Sequence, residues 1–157
     1  MTTIVANLQG MAADTFVTYT PCFKGESKIW IAKGAIWGAA GPSAKGLAFK
    51  AWTLGRGKRP TFIDAADEEE KEEKGVKMEV LQLTPGGLYL WLNGDLPDPV
   101  HEGFYAVGSG GGYAVGALSM GATLDQALEV AQKWDGGTRG PFDTITLEDV
   151  KKGRRKR

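Results

Sequence analysis

Short runs of apolar and β-branched residues alternate with glycine-containing turns along most of the chain. Such runs are typical of strands, and their boundaries follow the turn residues. In the first part of the chain the pattern predicts strands at residues 2–7, 11–19, 28–32 and 35–40. Later strands are predicted at residues 77–83, 88–92, 104–107 and 143–147. Asn93-Gly94 adds a strong turn signal after the sixth of these strands.

Three segments instead repeat apolar residues every three or four positions, the spacing of a helix. The first begins at Pro42 and ends near Gly55 or Gly57, and the second covers residues 111–120. Thr123 is the predicted N-cap of a third helix that runs to Trp134. One face of this helix is predicted to carry Leu124, Ala127, Leu128, Ala131 and Trp134. The order of elements lacks regular βαβ alternation and predicts an α+β fold, with antiparallel sheets covered by helices.

The 157 residues suit one domain, predicted over residues 1–150, with a basic and disordered tail at 151–157. The 19 basic and 19 acidic residues cancel, so net charge gives no reason to expect nucleic acid or membrane binding. No secretory signal or membrane-spanning run is present in the sequence. The single cysteine, Cys22, cannot form an intrachain disulfide and fits a reducing compartment, so we expect a cytoplasmic protein. The acidic run at 67–74 is predicted to be a solvated loop or short helix, with a partner-binding face as the alternative.

The glycine run at residues 108–112 follows a predicted strand and opens a predicted helix. That setting invites a phosphate-binding interpretation, because the amides at a helix N-terminus attract anions. However, Tyr113 stands where a dinucleotide fingerprint needs its third glycine, and the P-loop lysine is missing. A tight structural turn is the alternative. We therefore expect no cofactor and no metal.

Thr2 is a candidate nucleophile if Met1 is removed, because one residue then carries both a hydroxyl and a free α-amine. The amine can serve as general base for its own hydroxyl, directly or through water. This chemistry needs no histidine, and His101 is the only one in the chain. A lysine held by a carboxylate would favour the neutral amine and stabilise the oxyanion. Cys22 is a weaker alternative nucleophile, because it follows Pro21 and the chain contains only one histidine that could activate it.

Six segments resemble the proteasome-type N-terminal-nucleophile hydrolases, in the order in which that family carries them. Residues 2–5 resemble the mature start of the bacterial HslV-type subunit, and residues 12–15 resemble the A-A/G-D strand of proteasome β subunits. Lys28-Ile29 occupies the place of the family's strand-borne lysine. The remaining matches are residues 36–41 with I-A-G-x-A-G, residues 105–114 with I-G-S-G-G-x-Y-A, and residues 135–143 with D-x-x-S/T-x-G-P-x-D.

This resemblance implies a four-layer αββα sandwich and amide hydrolysis through an acyl ester on Thr2. It implies that Asp14 pairs with Lys28, that Lys28 tunes the Thr2 amine, and that the Gly38 amide forms the oxyanion hole. Ser109, Asp135 and Thr138 would hydrogen-bond around the amine. Plainer interpretations stay open: Asp14 as a turn or cap residue, Lys28 as an edge-strand lysine, Ser109 as a helix cap, and residues 135–137 as a helix C-terminal turn.

Three functions follow from these observations. The first is a threonine peptidase that acts on peptides or unfolded proteins. Its expected assembly is a homo-oligomer such as a ring or stacked rings, with an unfoldase as a candidate partner. The second is a self-sufficient amidohydrolase with the same nucleophile. The third is an inactive scaffold that retains Met1, with its basic tail free to dock on an acidic partner or nucleic acid. Much of the helix pattern expected between residues 57 and 77 is missing, and in relatives that region contributes to ring packing.

Overall fold

Two antiparallel sheets form the centre of the protein. The computed structural model describes residues 2–16, 27–41, 43–60, 78–92 and 96–153. Within these ranges the strands are β1 (Thr3–Asn7), β2 (Gly10–Ala13), β3 (Ile29–Ala32), β4 (Ala35–Ala40), β5 (Glu79–Thr84), β6 (Gly87–Leu92), β7 (Pro97–Pro99), β8 (Phe104–Gly108) and β9 (Asp143–Thr146). The helices are α1 (Ser43–Thr53), α2 (Gly111–Ser119), α3 (Leu124–Trp134) and α4 (Leu147–Lys151).

The first sheet has the order β8-β1-β2-β9, and the second has the order β3-β4-β5-β6-β7. Asn7 makes the tight turn between β1 and β2, because its side-chain oxygen accepts from the amides of Gln9 (2.8 Å) and Gly10 (3.0 Å). β1 therefore lies between β2 and β8, the strand that follows it and one about a hundred residues later in the chain. The N-terminal strand is thus central in its sheet.

Three apolar clusters alternate with the sheets and give the molecule four layers. Residues that face the space between the sheets include Ile4, Met11, Ile36, Leu81 and Val107. A second cluster packs α1 on the outer face of the second sheet, and a third packs α2 and α3 on the outer face of the first sheet. The predicted α+β class and αββα sandwich are confirmed.

The aromatic residues under α1 belong to the core. Trp37 packs against Phe49 and Trp91, with ring centroids 5.6 and 5.8 Å apart, and its indole N–H donates to the Ala32 carbonyl at 2.9 Å. The indole of Trp30 donates to the Thr53 hydroxyl at 2.9 Å. The Trp91 indole donates to the Gln82 side chain at 3.0 Å, so all three tryptophans are buried, hydrogen-bonded parts of the core of this chain.

The predicted cap of α3 is present. The Thr123 hydroxyl accepts from the Gln126 amide, and the Gln126 side-chain oxygen accepts from the Thr123 amide. Trp134 was wrongly placed on the buried face, because 64% of it is exposed. At 100° per residue, it lies about 80° from Leu124 around the helix, at the edge of the stripe that meets the sheet. It is also the last residue of α3.

Two elements are absent from the sequence prediction. β7 contains Pro97 and Pro99, which a strand accepts at a sheet edge, and β6 is its only partner among the described strands. α4 has five residues, too few for a periodic signal, and is capped by reciprocal bonds between Thr146 and Asp149. The predicted last strand therefore ends at Thr146, and the predicted tail begins inside α4 at Lys151.

Several sequence predictions fall outside the described residues. They are the acidic run at 67–74, the Asn93-Gly94 turn, the strand beyond residue 16, Cys22 and the last four residues of the tail. In the described part of the chain, none of the helices is both long enough and apolar enough to cross a bilayer.

Candidate active site

The predicted site residues gather at one end of the sandwich. Thr2 stands immediately before β1, and Asp14 immediately follows β2. Ser109 follows β8, and Lys28 precedes β3. In an antiparallel sheet, the start of β1 adjoins the ends of both its neighbours, so sheet topology brings Thr2, Asp14 and Ser109 together.

Asp14 is a completely buried carboxylate with three hydrogen-bond donors. Its Oδ1 accepts from the Thr3 amide at 2.9 Å and from Lys28 Nζ at 2.8 Å. Its Oδ2 accepts from the Arg139 amide at 3.3 Å. A buried charge is stable only when it is paired and hydrogen-bonded, and Asp14 meets both conditions. The ion pair between Asp14 and Lys28 that the resemblance implied is therefore present.

Lys28 is held by two acceptors, since Nζ also donates to the Phe16 carbonyl at 2.7 Å. Only 11% of its side chain is exposed. Burial lowers the pKa of the Lys28 ammonium below its ordinary value, and the hydrogen bond and charge of Asp14 offset part of that effect. A fixed lysine of reduced basicity is the kind of group that the proposed chemistry of a terminal amine requires.

A second network joins Thr3 to Asp135 through Thr138. Asp135 Oδ2 accepts from Thr138 Oγ1 at 2.6 Å and from Ser109 Oγ at 2.7 Å. Since Thr138 gives its only hydroxyl hydrogen to Asp135, the Thr3 hydroxyl must donate to Thr138 across their 2.7 Å separation. The Gly110 amide donates to Thr3 Oγ1 at 3.0 Å and completes the network.

The pKa of Asp135 reflects the same network. Burial alone would raise the pKa of this carboxyl, but the hydrogen bonds from Thr138, Ser109 and the Gly137 backbone bring it below its ordinary value. Asp135 is therefore an ionised acceptor at neutral pH. Its anionic form fixes the direction of the hydroxyls around it.

Thr2 is positioned through its backbone. The peptide group that joins Thr2 to Thr3 is bound at both polar atoms: its carbonyl accepts from the Ser109 amide at 2.8 Å, and its N–H donates to Asp14. Gly108, with φ of +94°, lies so close that an added Cβ would collide with the Thr2 carbonyl. The candidate nucleophile is thus anchored immediately beside its α-carbon.

Gly38 lies in β4 opposite Ile29 and Leu81. A Cβ here would approach Met11 Sδ to 2.8 Å and Ile4 Cγ2 to 2.9 Å, so contact between the two sheets requires glycine. The Ala39 amide donates to the Lys28 carbonyl at 3.3 Å, and amides alternate along a strand, so the Gly38 amide faces β5. The oxyanion role of Gly38 stays a prediction that this orientation does not support.

Three further residues complete this end of the molecule without having been singled out from the sequence. Thr3 joins the two networks, and Arg139 lies with its guanidinium 4.7 Å from the Phe16 ring centroid. Glu79 accepts from the Gly108 amide at 3.3 Å. A charged residue beginning the otherwise uncharged strand β5 is the one signal that sequence offered for Glu79.

An open cleft with a volume of about 410 Å³ adjoins the second network. It is lined by Gln132, Asp135, Gly136, Thr138, Arg139 and Gly140. Among the residues that the structure describes, no group of three His, Cys, Asp or Glu side chains is arranged to hold a metal. The functional groups that the described residues bring to this end of the sandwich are hydroxyls, carboxylates, the Lys28 ammonium and the Arg139 guanidinium.

The fold is that of the proteasome-like peptidases. The structure of Thiobacillus denitrificans BPH is similar with a TM-score of 0.68 and 15% identity, over 92% of this chain and 96% of that one. The same protein in complex with epoxomicin gives 0.68 and 16% identity, over 93% and 97% of the two chains. Eukaryotic HslV from Trypanosoma brucei gives 0.63 and 15% identity, over 92% and 98%. No family model matches the sequence, and no curated protein does.

Proposed function

We propose that the protein is a threonine peptidase whose nucleophile is Thr2 after removal of Met1. The observation that carries this proposal is the anchoring of the Thr2–Thr3 peptide between the Ser109 amide and Asp14, which is itself paired with Lys28. This arrangement fixes a terminal threonine next to a partly desolvated lysine. The peptidase fold of the structural neighbours supports the same reaction class.

In the proposed reaction, the α-amine of Thr2 takes the proton of the Thr2 hydroxyl, directly or through water. The hydroxyl oxygen attacks the amide carbonyl, and the proton passes to the departing amine. Water then hydrolyses the acyl ester on Thr2. No histidine takes part in these steps.

The charges around Thr2 suit this sequence of steps. The Lys28 cation disfavours protonation of a neighbouring amine, so the Thr2 amine stays available as a base near neutral pH. Ser109, Asp135 and Thr138 form the network that would orient the amine and an attacking water. An oxyanion role for the Gly38 amide rests on the sequence resemblance alone, since this amide faces β5.

We further propose a homo-oligomer that acts on peptides or unfolded proteins, as the HslV-like neighbour suggests, with an unfoldase as a possible partner. If the sites are enclosed in a ring, only extended chains can reach them. A self-sufficient amidohydrolase would have the same nucleophile and no chamber. Native mass spectrometry and two turnover assays distinguish these forms. A large assembly that cleaves an unstructured protein supports the peptidase, and a small species that hydrolyses only a small amide supports the amidohydrolase.

The decisive experiment is intact mass spectrometry before and after incubation with a peptide epoxyketone, a reagent that requires both the hydroxyl and the free amine of a terminal threonine. We expect loss of the Met1 mass and one adduct that maps to Thr2. Thr2→Ala is the negative control, and Thr3→Ala tests whether the second threonine is the modified one. Retained Met1 with no adduct would overturn the proposal and favour an inactive scaffold.

A further inference from the structure

Glu79 reaches from the second sheet to the turn that holds Thr2. It is the first residue of β5, and side chains alternate along a strand. Leu81 and Leu83 belong to the cluster between the sheets, so Glu79 faces the first sheet as they do. Its Oε2 accepts from the Gly108 amide at 3.3 Å, across the gap between the two sheets. This hydrogen bond joins the start of β5 to the last residue of β8.

The Gly108 amide points away from its neighbouring strand. Gly108 lies opposite Thr3 in the register of β1 and β8, and Thr3 directs both its amide and its carbonyl to Asp14. Gly108 therefore belongs to a pair without mutual hydrogen bonds, and its N–H is not directed at β1. Among the described strands, β8 is an edge of its sheet with β1 as its partner. Glu79 thus supplies the acceptor that this edge amide needs.

The turn that begins at Gly108 holds the first residues of β1 in place. The Ser109 amide donates to the Thr2 carbonyl at 2.8 Å, and the Gly110 amide donates to Thr3 Oγ1 at 3.0 Å. Gly108 itself, with φ of +94°, lies against the Thr2 carbonyl and leaves no room there for a Cβ. Any displacement of this turn is therefore passed on to Thr2.

The second sheet thus reaches the two sides of β1 through different residues. On the β2 side, Lys28 bonds Asp14, which accepts from the Thr3 amide. On the β8 side, Glu79 bonds the Gly108 amide. A misplacement of about 1 Å between reacting groups can lower a rate about 100-fold, so both links bear on the reaction proposed for Thr2.

We propose that Glu79 is a positioning residue for the nucleophile: by accepting from the Gly108 amide, it fixes the turn that sets the place of Thr2. This inference rests on the proposed peptidase function and deepens it. Glu79 bonds neither the substrate nor Thr2. It acts through the acceptor oxygen at the end of its side chain, and its negative charge is not required.

The test measures turnover of the fluorogenic peptide amide that the wild type cleaves fastest. Glu79→Met nearly preserves the length of the side chain but offers only a weak acceptor, and Glu79→Asp keeps the charge but is one methylene shorter. We expect kcat to fall about tenfold in both variants with little change in KM, because the binding of substrate is not altered. The rate of epoxyketone labelling of Thr2 should fall with kcat.

Glu79→Gln keeps an oxygen acceptor at the same reach and should retain kcat within about threefold of wild type. Glu148→Met, at a carboxylate whose side chain is 75% exposed on α4, is the matched control and should leave kcat unchanged. The glutamine variant needs no loss of a bond to fold. A purely structural role of Glu79 would lower stability without lowering kcat in the folded fraction.

Amide hydrogen exchange of the segment 104–110 tests the bond itself and needs no turnover. Exchange should be faster in Glu79→Met and Glu79→Asp than in wild type, and unchanged in Glu79→Gln. An unchanged kcat in both the methionine and aspartate variants, or a glutamine variant as slow as the methionine variant, would overturn this inference alone. A wild type with neither turnover nor a Thr2 adduct would overturn the proposed function and the positioning role together.

Discussion

Lys28 Nζ and the Thr3 amide donate to the same oxygen of Asp14, at 2.8 and 2.9 Å. One carboxylate oxygen therefore connects the start of β3 in the second sheet to the start of β1 in the first. Because Asp14 is completely buried, neither donor can be replaced by bulk water without moving the backbone. The position of the residue after the candidate nucleophile thus depends on a charge pair between the two sheets.

Replacing Lys28 by methionine is expected to abolish epoxyketone labelling of Thr2 and to destabilise the fold. Loss of one partner of a buried pair costs about 3–5 kcal/mol, and we expect about 1–3 kcal/mol here because Asp14 keeps two amide donors. Urea unfolding followed by far-UV circular dichroism measures the change. Lys152→Met, at a lysine whose side chain is 65% exposed, should leave stability and labelling unchanged.

The lowered pKa of Lys28 predicts a pH dependence of stability at alkaline pH. Between the folded pKa and the ordinary value of 10.5, the unfolded chain binds more protons at this site than the folded chain does. The contribution of Lys28 to the free energy of unfolding must therefore rise with pH in that window and level off above it. Urea titrations of wild type and Lys28→Met across the window should diverge in that direction. A constant difference between them would contradict the lowered pKa.

Thr138→Val should reduce the free energy of unfolding by about 1–2 kcal/mol, since it removes a hydroxyl that bonds both Thr3 and Asp135. The valine has nearly the same shape, so cavity formation does not contribute. Thr138→Ser keeps the hydroxyl and is expected to retain most of the stability. If chemical denaturation shows valine and serine to be equivalent, the network carries no net stabilisation.

Gly108→Ala is expected to be among the most damaging single changes in the chain. The new methyl group would collide with the Thr2 carbonyl, and the residue would keep a φ of +94° that alanine disfavours. We expect a loss of about 3 kcal/mol or more, with no Thr2 labelling in any folded fraction. Gly112→Ala is the control, because a Cβ there meets nothing within 4 Å and alanine favours the helix by about 0.5–1 kcal/mol. Equal melting temperatures for the two variants would contradict the close approach.

The sequence predicted those parts of the fold that depend on neighbouring residues. β4 was predicted at its observed bounds because Lys33-Gly34 and Gly41 limit it on both sides, and the Thr123 cap needs only residues 123–126. β7 was missed because prolines argue against strands except at an edge, and edges are set by tertiary structure. Trp134 was misplaced because periodicity does not show where a helix leaves the sheet.

The sequence predicted those residues of the candidate site that lie in segments resembling family motifs. The resemblance led to Asp14 and Lys28, and their ion pair is present. Thr3 carries no local signal of function, and the only signal for Glu79 is a charge at the start of an otherwise uncharged strand. The positions of both residues matter because of partners at residues 108, 110 and 138. Gly38 shows the limit of a motif match. Its position matches the family pattern, but the sequence does not determine the direction of its N–H, which faces β5.

The place of β1 between β2 and β8 also has a consequence for biosynthesis. β1 can pair with β2 as soon as both strands have been synthesised, but its other edge must wait for Phe104–Gly108. Contacts of such long sequence separation form late and slow the folding of a chain. The second edge of β1, which Ser109 and Gly110 help to close, therefore stays open until those residues have been synthesised. Nascent fragments that end before Gly110 would carry Thr2 but lack the groups that anchor it, so any activity of Thr2 is expected only after residues 104–110 have been synthesised.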